Sequence, residues 1–210
     1  MTYDIDKTKV NTTQVLAPDT IAPILRECVD QLKIEEPAIV VDSGAHRVWS
    51  SHYWESRKPN LFFTAASLAP MGWAIAAGLG VQLALDTTTI VFTGDGCMQM
   101  EGREISTAVR YNVPVIWIVY NNNLLGNINL RAKKMGEYAD ELTQTAGINW
   151  ADFAKSLQCQ ASKVSTKEQL VRAFKKAVKS KAPYLIDVAC INLPTPVSPY
   201  AKEKEIYLSE

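Results

Sequence analysis

Four strand-length apolar runs constrain this chain most: AIVVD (38–42), TTIVFT (88–93), PVIWIVY (114–120) and YLIDVAC (184–190). None alternates polar with apolar, as a strand with a watered face would, so each is expected to be covered on both sides. Helical patterns fall over 18–33, 71–85, 102–111, 150–158 and 167–180. In the last, Leu170, Val171, Phe174 and Val178 share one face while lysines cover the other, and Pro183 stops the helix before the final run. Strand and helix in this alternation predict an α/β domain, a three-layer sandwich about a mainly parallel sheet. Ligands of such sheets bind beyond the carboxyl ends of the strands.

The 210 residues are enough to bury a real core. Lys plus Arg equals Asp plus Glu, 22 against 22, which gives no footprint for a nucleic acid. The start, MTYDIDKTKVNTTQ, has no apolar centre and does not read as a secretory signal; Met1 and this polar lead-in read as a natural start. MGWAIAAGLGVQLAL (71–85) is glycine-interrupted and shorter than the roughly 20 apolar residues a bilayer needs, so a buried helix is expected and no membrane span. Cys28, Cys97, Cys159 and Cys190 are scattered without a C-x-x-C pair, which favours reduced thiols and a cytoplasmic protein over disulfides or zinc. The expected organisation is an N-terminal arm over 1–17, one domain over 18–190, and an arm or tail over 191–210 with three prolines and the cluster AKEKE.

The stretch GDGCMQMEGREISTAVRYNVPVIWIVYNNNLLG (94–126) pairs a carboxylate turn after one apolar run with three asparagines after the next. It lacks the third glycine of a dinucleotide fingerprint and the alternating oxygens of an EF-hand. Neighbouring parallel strands would bring Asp95 and the asparagines together across one crossover. Asp95 offers an anionic oxygen, an asparagine a neutral one and a loop carbonyl a third, a set that suits Mg²⁺ completed by phosphate oxygens and water. With a helix starting near Glu101, its N-terminus would face the same anion. On residue chemistry alone, two readings stand: a Mg²⁺–diphosphate cradle, or a plain strand–turn–helix. By residue type Met71 reads as core, His46 as a surface or capping histidine, His52 as structural and Cys97 as a small buried filler.

GDG followed by NN, with Asn122 lying 27 positions after Asp95, is similar to the cofactor motif of thiamine diphosphate enzymes of the acetolactate synthase and pyruvate decarboxylase branch. EISTAVRYNVPV also resembles that branch, and SGAHRVWSSHYWESRKPNLFFTAASLAPMGWAIAAGLG (43–80) resembles the acetolactate synthase segment running from G-Q-H to Met-Gly. The likeness spans roughly residues 20 to 190 and implies the thiamine diphosphate-binding fold. It implies that Asp95, Asn122 and the carbonyl of Leu124 hold Mg²⁺, and that Gly94, Gly96, Cys97 and Gly126 lie along the diphosphate. It further implies that Gly44 and His46 approach the terminal phosphate, and that Met71, with the carbonyl of Ala69, grips the aminopyrimidine and bends the cofactor.

Two positions depart from the family pattern. Cys97 stands where a serine hydroxyl often bonds a phosphate, and Ala45 stands where the family has glutamine. The family also needs a glutamate on a separate pyrimidine-binding domain, and Glu55, Glu101 and Glu104 do not fit that role. The resemblance therefore implies half of an active site, completed by a pyrimidine-binding partner subunit in a heterodimer or heterotetramer. Such an enzyme would decarboxylate a small 2-oxo acid and pass the acyl carbanion to a carbonyl acceptor, with Asn127 and Ile128 near the substrate. The alternatives are a simple decarboxylase subunit of the sulfopyruvate or phosphonopyruvate type, and a non-catalytic regulatory subunit.

Overall fold

Six strands form one sheet in the order β2-β1-β3-β4-β6-β5, and every neighbouring pair is parallel. The computed structural model describes residues 15–133 and 138–196. The strands are β1 (Ala38–Val41), β2 (Phe62–Thr64), β3 (Thr89–Gly94), β4 (Val115–Asn121), β5 (Gln160–Val164) and β6 (Tyr184–Ala189). The helices are α1 (Pro18–Gln31), α2 (Ala45–Tyr53), α3 (Trp73–Leu85), α4 (Asp95–Glu101), α5 (Ile105–Tyr111), α6 (Gly126–Ala132), α7 (Ala139–Thr143), α8 (Trp150–Ser156) and α9 (Lys167–Ser180). The three-layer α/β sandwich expected from the apolar runs is the fold observed.

Each central strand sends alternate residues into opposite cores, which is why the runs are apolar throughout. Ile116, Ile118 and Tyr120 of β4 enter the core under α1, α2 and α9, whereas Val115, Trp117 and Val119 enter the core under α3, α5 and α8. The Trp117 indole, fully buried, donates to the Ile75 carbonyl of α3 at 3.3 Å. Helix α9 begins on Thr166, whose hydroxyl accepts the Gln169 amide, and buries Leu170, Ala173, Phe174 and Ala177.

Sequence pattern missed two strands and four helices. Strands β2 and β5 are the edges of the sheet. Half-covered edges carry no continuous apolar run, as QASKV in β5 illustrates. Helices α2, α4, α6 and α7 have at most nine residues each, too short for a face to repeat. One expectation is corrected: the helix after the GDG turn does not start near Glu101 but at Asp95 itself, with Gly94 as its N-cap. Met71 likewise precedes its helix, which begins at Trp73.

Helix α3 is apolar all round, yet it is buried on one side only: Leu83 is 71% exposed, and Ala76 and Gly80 share its open face. Among the described residues no helix is long and apolar enough to cross a membrane. Leu16 pairs with Cys190 as an extra bridge, and Leu193 is buried in the core beneath α1. Residues 1–14 of the expected N-terminal arm and the AKEKE cluster lie outside the described residues.

Candidate cofactor-binding site

The chain runs outward from β1 to β2 and then returns to lay β3 on the other side of β1. The carboxyl ends of β1 and β3 thus flank a reversal of strand order, where a crevice opens in folds of this kind. Asp42, Ser43 and Gly44 follow β1, Asp95 follows β3, and Asn122 follows β4. Every residue expected at the cofactor or the metal, except Ala69, lines one cleft over these ends, and Asn127 and Ile128 line it as well. Ala69 sits outside it, in a left-handed conformation with φ of 53°.

Asp95 is the first residue of α4, 4% exposed, and burial pushes its carboxyl up to about 6. Its carboxylate accepts the Thr145 hydroxyl at 3.0 Å and faces the amides of Gly96 and Leu124. The same Leu124 amide donates to Asn122 Oδ1 at 3.0 Å. Asp95 and Asn122 both line the cleft, and the Leu124 amide lies between their two loops. A divalent cation held by Asp95 and Asn122 would neutralise a carboxylate that burial disfavours.

Two glycines keep the cleft open where side chains would close it. A Cβ at Gly96 would stand 2.8 Å from Leu125 Cδ2 and 3.1 Å from Met71 Cε, so Met71 reaches across toward the start of α4. A Cβ at Gly126 would meet Asn192 Oδ1 at 2.8 Å and Asn122 Nδ2 at 3.1 Å, displacing an expected metal ligand.

His46 and Tyr120 hold buried polar atoms without partners, the Nε2 of one and the hydroxyl of the other, and both residues line the cleft. Burial lowers the His46 imidazole to about 3, opposed by a hydrogen bond to the Asp42 carbonyl, so the ring is neutral. Such orphaned atoms are costly unless a ligand meets them. Unpartnered polar atoms, converging oxygens and a glycine-lined floor fit a metal-bound diphosphate. Cys97 donates its thiol to the Ser43 carbonyl at 3.1 Å, and burial pushes that thiol up to about 12, so it stays protonated.

Three contributors escaped the sequence reading. Asp42, at the end of β1, accepts the Thr93 hydroxyl at 3.0 Å, the Ser43 amide at 3.0 Å and the Gly72 amide at 2.9 Å, fixing the turn after Met71. Asp187, fully buried in β6, accepts Asn121 Nδ2 at 2.9 Å and the Trp150 amide at 3.0 Å, anchoring the end of β4. A lone acid inside an apolar strand was the available signal, since carboxylates are rarely buried without partners. The third, Thr145, left no signal. Glu55, Glu101 and Glu104 pair with Arg57 or Arg103 and do not line the cleft.

Residues 42–188 match the family "Thiamine pyrophosphate enzyme, C-terminal TPP binding domain". The "Probable acetolactate synthase large subunit" of Methanococcus aeolicus is 27% identical over 177 residues, covering 83% of this chain and 30% of that protein. The acetolactate synthase isozyme 2 large subunit of Escherichia coli K12 is 26% identical over 170 residues, covering 80% of this chain and 31% of that one. The fold superposes on the thiamine diphosphate-dependent 4-hydroxybenzoylformate decarboxylase of Rhodococcus jostii RHA1 with a TM-score of 0.76 at 24% identity, covering 90% of this chain and 35% of that one. This chain thus spans about a third of the length of the relatives it matches. With the family's domain model matched across both halves of the cleft, the chain belongs to the thiamine pyrophosphate enzymes and carries their C-terminal, thiamine diphosphate-binding domain.

Proposed function

We propose that this chain is the diphosphate- and Mg²⁺-binding subunit of a two-subunit thiamine diphosphate enzyme related to acetolactate synthase. It would decarboxylate a small 2-oxo acid and transfer the acyl group to a carbonyl acceptor. The observation that carries the reading is the meeting of Asp95, Asn122 and Leu124 in one cleft at the carboxyl edge of the sheet. Asp95, Asn122 and the Leu124 carbonyl would hold the ion. Gly44, His46, Gly94, Gly96, Cys97 and Gly126 would lie along the diphosphate, with Met71 and Ala69 toward the aminopyrimidine. When bound, thiamine diphosphate supplies the electron sink for loss of CO₂ from a 2-oxo acid. This chain's own residues bind and orient the cofactor, and Asn127 and Ile128 form one wall of the substrate space.

The pyrimidine-activating glutamate is assigned to a partner subunit. Among the described residues Asp95 is the only acid lining the cleft. The open apolar face of α3, with Leu83, and Leu68 at 87% exposure support a second polypeptide covering these apolar groups. The proposed unit comprises 18–190 as the binding domain, with 1–17 and 191–210 as arms, in a heterodimer or a two-by-two heterotetramer. A cytoplasmic setting is supported by the four cysteines, all buried and free.

Native mass spectrometry of the untagged protein from its own cells, with thiamine diphosphate and Mg²⁺ present, tests this directly. A second chain of comparable size co-purifying with bound cofactor is the expected outcome. The chain appearing alone or only with itself, and taking up no cofactor, would overturn the two-subunit reading. A separate expectation concerns Cys97→Ser. A hydroxyl there can leave the Ser43 carbonyl for the stronger acceptor, an anion, and a hydrogen bond worth about 1 kcal/mol corresponds to roughly fivefold tighter binding. Unchanged or weaker binding in a calorimetric titration would contradict it.

A further inference from the structure

The segment between α7 and α8 lies outside the cleft lining but is bonded to both loops that carry the expected metal ligands. Leu125 donates its amide to the Thr143 carbonyl at 2.8 Å, Gln144 pairs antiparallel with Leu124, and Thr145 donates its amide to the Asn123 carbonyl at 2.9 Å. These bonds lay residues 143–145 along the loop of Asn122 and Leu124. The Thr145 side chain then crosses to the other loop, and its hydroxyl donates to Asp95 Oδ2 at 3.0 Å. Thr145 is thus bonded at once to the carboxylate after β3 and to the backbone after β4.

A carboxylate has two oxygens and a side chain free to turn. The Thr145 hydroxyl occupies Oδ2, so it restrains the rotamer and leaves the other oxygen for the ion. It also sets the spacing between Asp95 and Asn122, because the residue that holds the carboxylate is itself stitched to the asparagine loop. Mg²⁺ demands near-ideal octahedral geometry at about 2.0–2.1 Å, so a preset pair of oxygens matters more for it than for a more adaptable ion. Partners of this kind are worth about 10- to 100-fold in metal affinity.

We propose that Thr145 is a positioning residue for the metal, orienting the Asp95 carboxylate toward the ion shared with Asn122. This rests on the reading of Asp95 as a metal ligand. It assigns a role to a loop residue some fifty positions from Asp95 in the chain.

The test is a titration of Mn²⁺, read by electron paramagnetic resonance of the free ion, at saturating thiamine diphosphate. It uses the full chain in the assembly in which it purifies, as wild type, Thr145→Val and Thr145→Ser. Valine keeps the volume and removes the hydroxyl, whereas serine keeps the hydroxyl. Mn²⁺ binding about tenfold weaker in Thr145→Val and within about twofold of wild type in Thr145→Ser is the expected result. Far-UV circular dichroism and the thermal midpoint, both expected to stay near wild type for this half-buried surface residue, separate lost positioning from lost fold. Thr145→Val binding Mn²⁺ like the wild type overturns the proposal while leaving Asp95 as a ligand. Thr145→Ser as weak as Thr145→Val overturns it in favour of methyl packing. Wild type that binds no Mn²⁺ overturns the metal site itself.

Discussion

Asp95→Ala is expected to weaken Mg²⁺-dependent thiamine diphosphate binding by at least about 100-fold while leaving the fold intact. The carboxylate supplies the only negative charge in the cleft among the described residues, and Asn122 and a carbonyl alone make a poor site for a hard dication. The ligand-free protein, by contrast, should be no less stable without it. Burial raises the Asp95 carboxyl in the folded chain to about 6, above its ordinary 3.8. A group shifted in this direction contributes stability below pH ~4 and loses it as pH rises through ~6, so at neutral pH the charged carboxylate opposes folding. The penalty is on the order of 2–3 kcal/mol, with the Thr145 hydrogen bond already included in the shift. The thermal midpoint of ligand-free Asp95→Ala at pH 7 should therefore match or exceed the wild type, and its decline between pH 4 and 6 should flatten. Calorimetric titration with the cofactor and Mg²⁺, beside thermal unfolding across that range, measures both. Retained cofactor affinity would remove the central assignment.

Arg26→Ala is expected to cost about 3–5 kcal/mol of stability, among the largest effects open to a single substitution here. Arg26 and Glu36 are 7% and 8% exposed, and Arg26 Nη1 donates to both carboxylate oxygens of Glu36, at 3.0 and 2.8 Å. Nη2 donates to Asp30 at 2.8 Å, and the guanidinium lies over the Trp54 ring at 5.2 Å. The pair joins α1 to the segment entering β1 and to the end of α2. Alanine leaves the Glu36 charge buried with only the Arg57 amide, at 3.1 Å, to meet it. At roughly 2–4 °C per kcal/mol for a domain of this size, the midpoint should fall by about 6–20 °C. Arg26→Met combined with Glu36→Leu should recover most of the loss, because the cost lies in the orphaned charge and not in the missing ion pair. A drop of less than about 3 °C in Arg26→Ala would show that the pair contributes little.

How much of this was legible in the chain follows from what each element needs. The inner strands were, because burial on both faces demands a continuous apolar run, and TTIVFT and PVIWIVY could hardly serve otherwise. The edge strands were not, since β5 rests one flank on β6 and leaves the other to water, so its sequence carries lysine and glutamine. The start of α4 at Asp95 was hidden for a related reason. Glycine at 96 argues against a helix on propensity, and the helix forms there because β3 ends at Gly94 and Met98 is buried beneath it.

The site divides in the same way. Asp95, Asn122 and Gly126 announce themselves because their chemistry depends on residue type at a fixed interval across one crossover, and an interval is a property of the chain. Thr145, Asp42 and Asp187 act through partners 50, 51 and 66 positions distant, and no local pattern marks a hydroxyl or carboxylate for such a partner. The sequence by itself determined the parallel sheet, the carboxyl edge at which folds of this kind bind ligands, and the identity of the charged groups there. Tertiary structure alone decided which oxygen of Asp95 meets Thr145, which amide reaches Asn122, and which loop is bonded to both sides. Burial pattern and residue chemistry are written one residue at a time, whereas orientation exists only once distant segments have packed against one another.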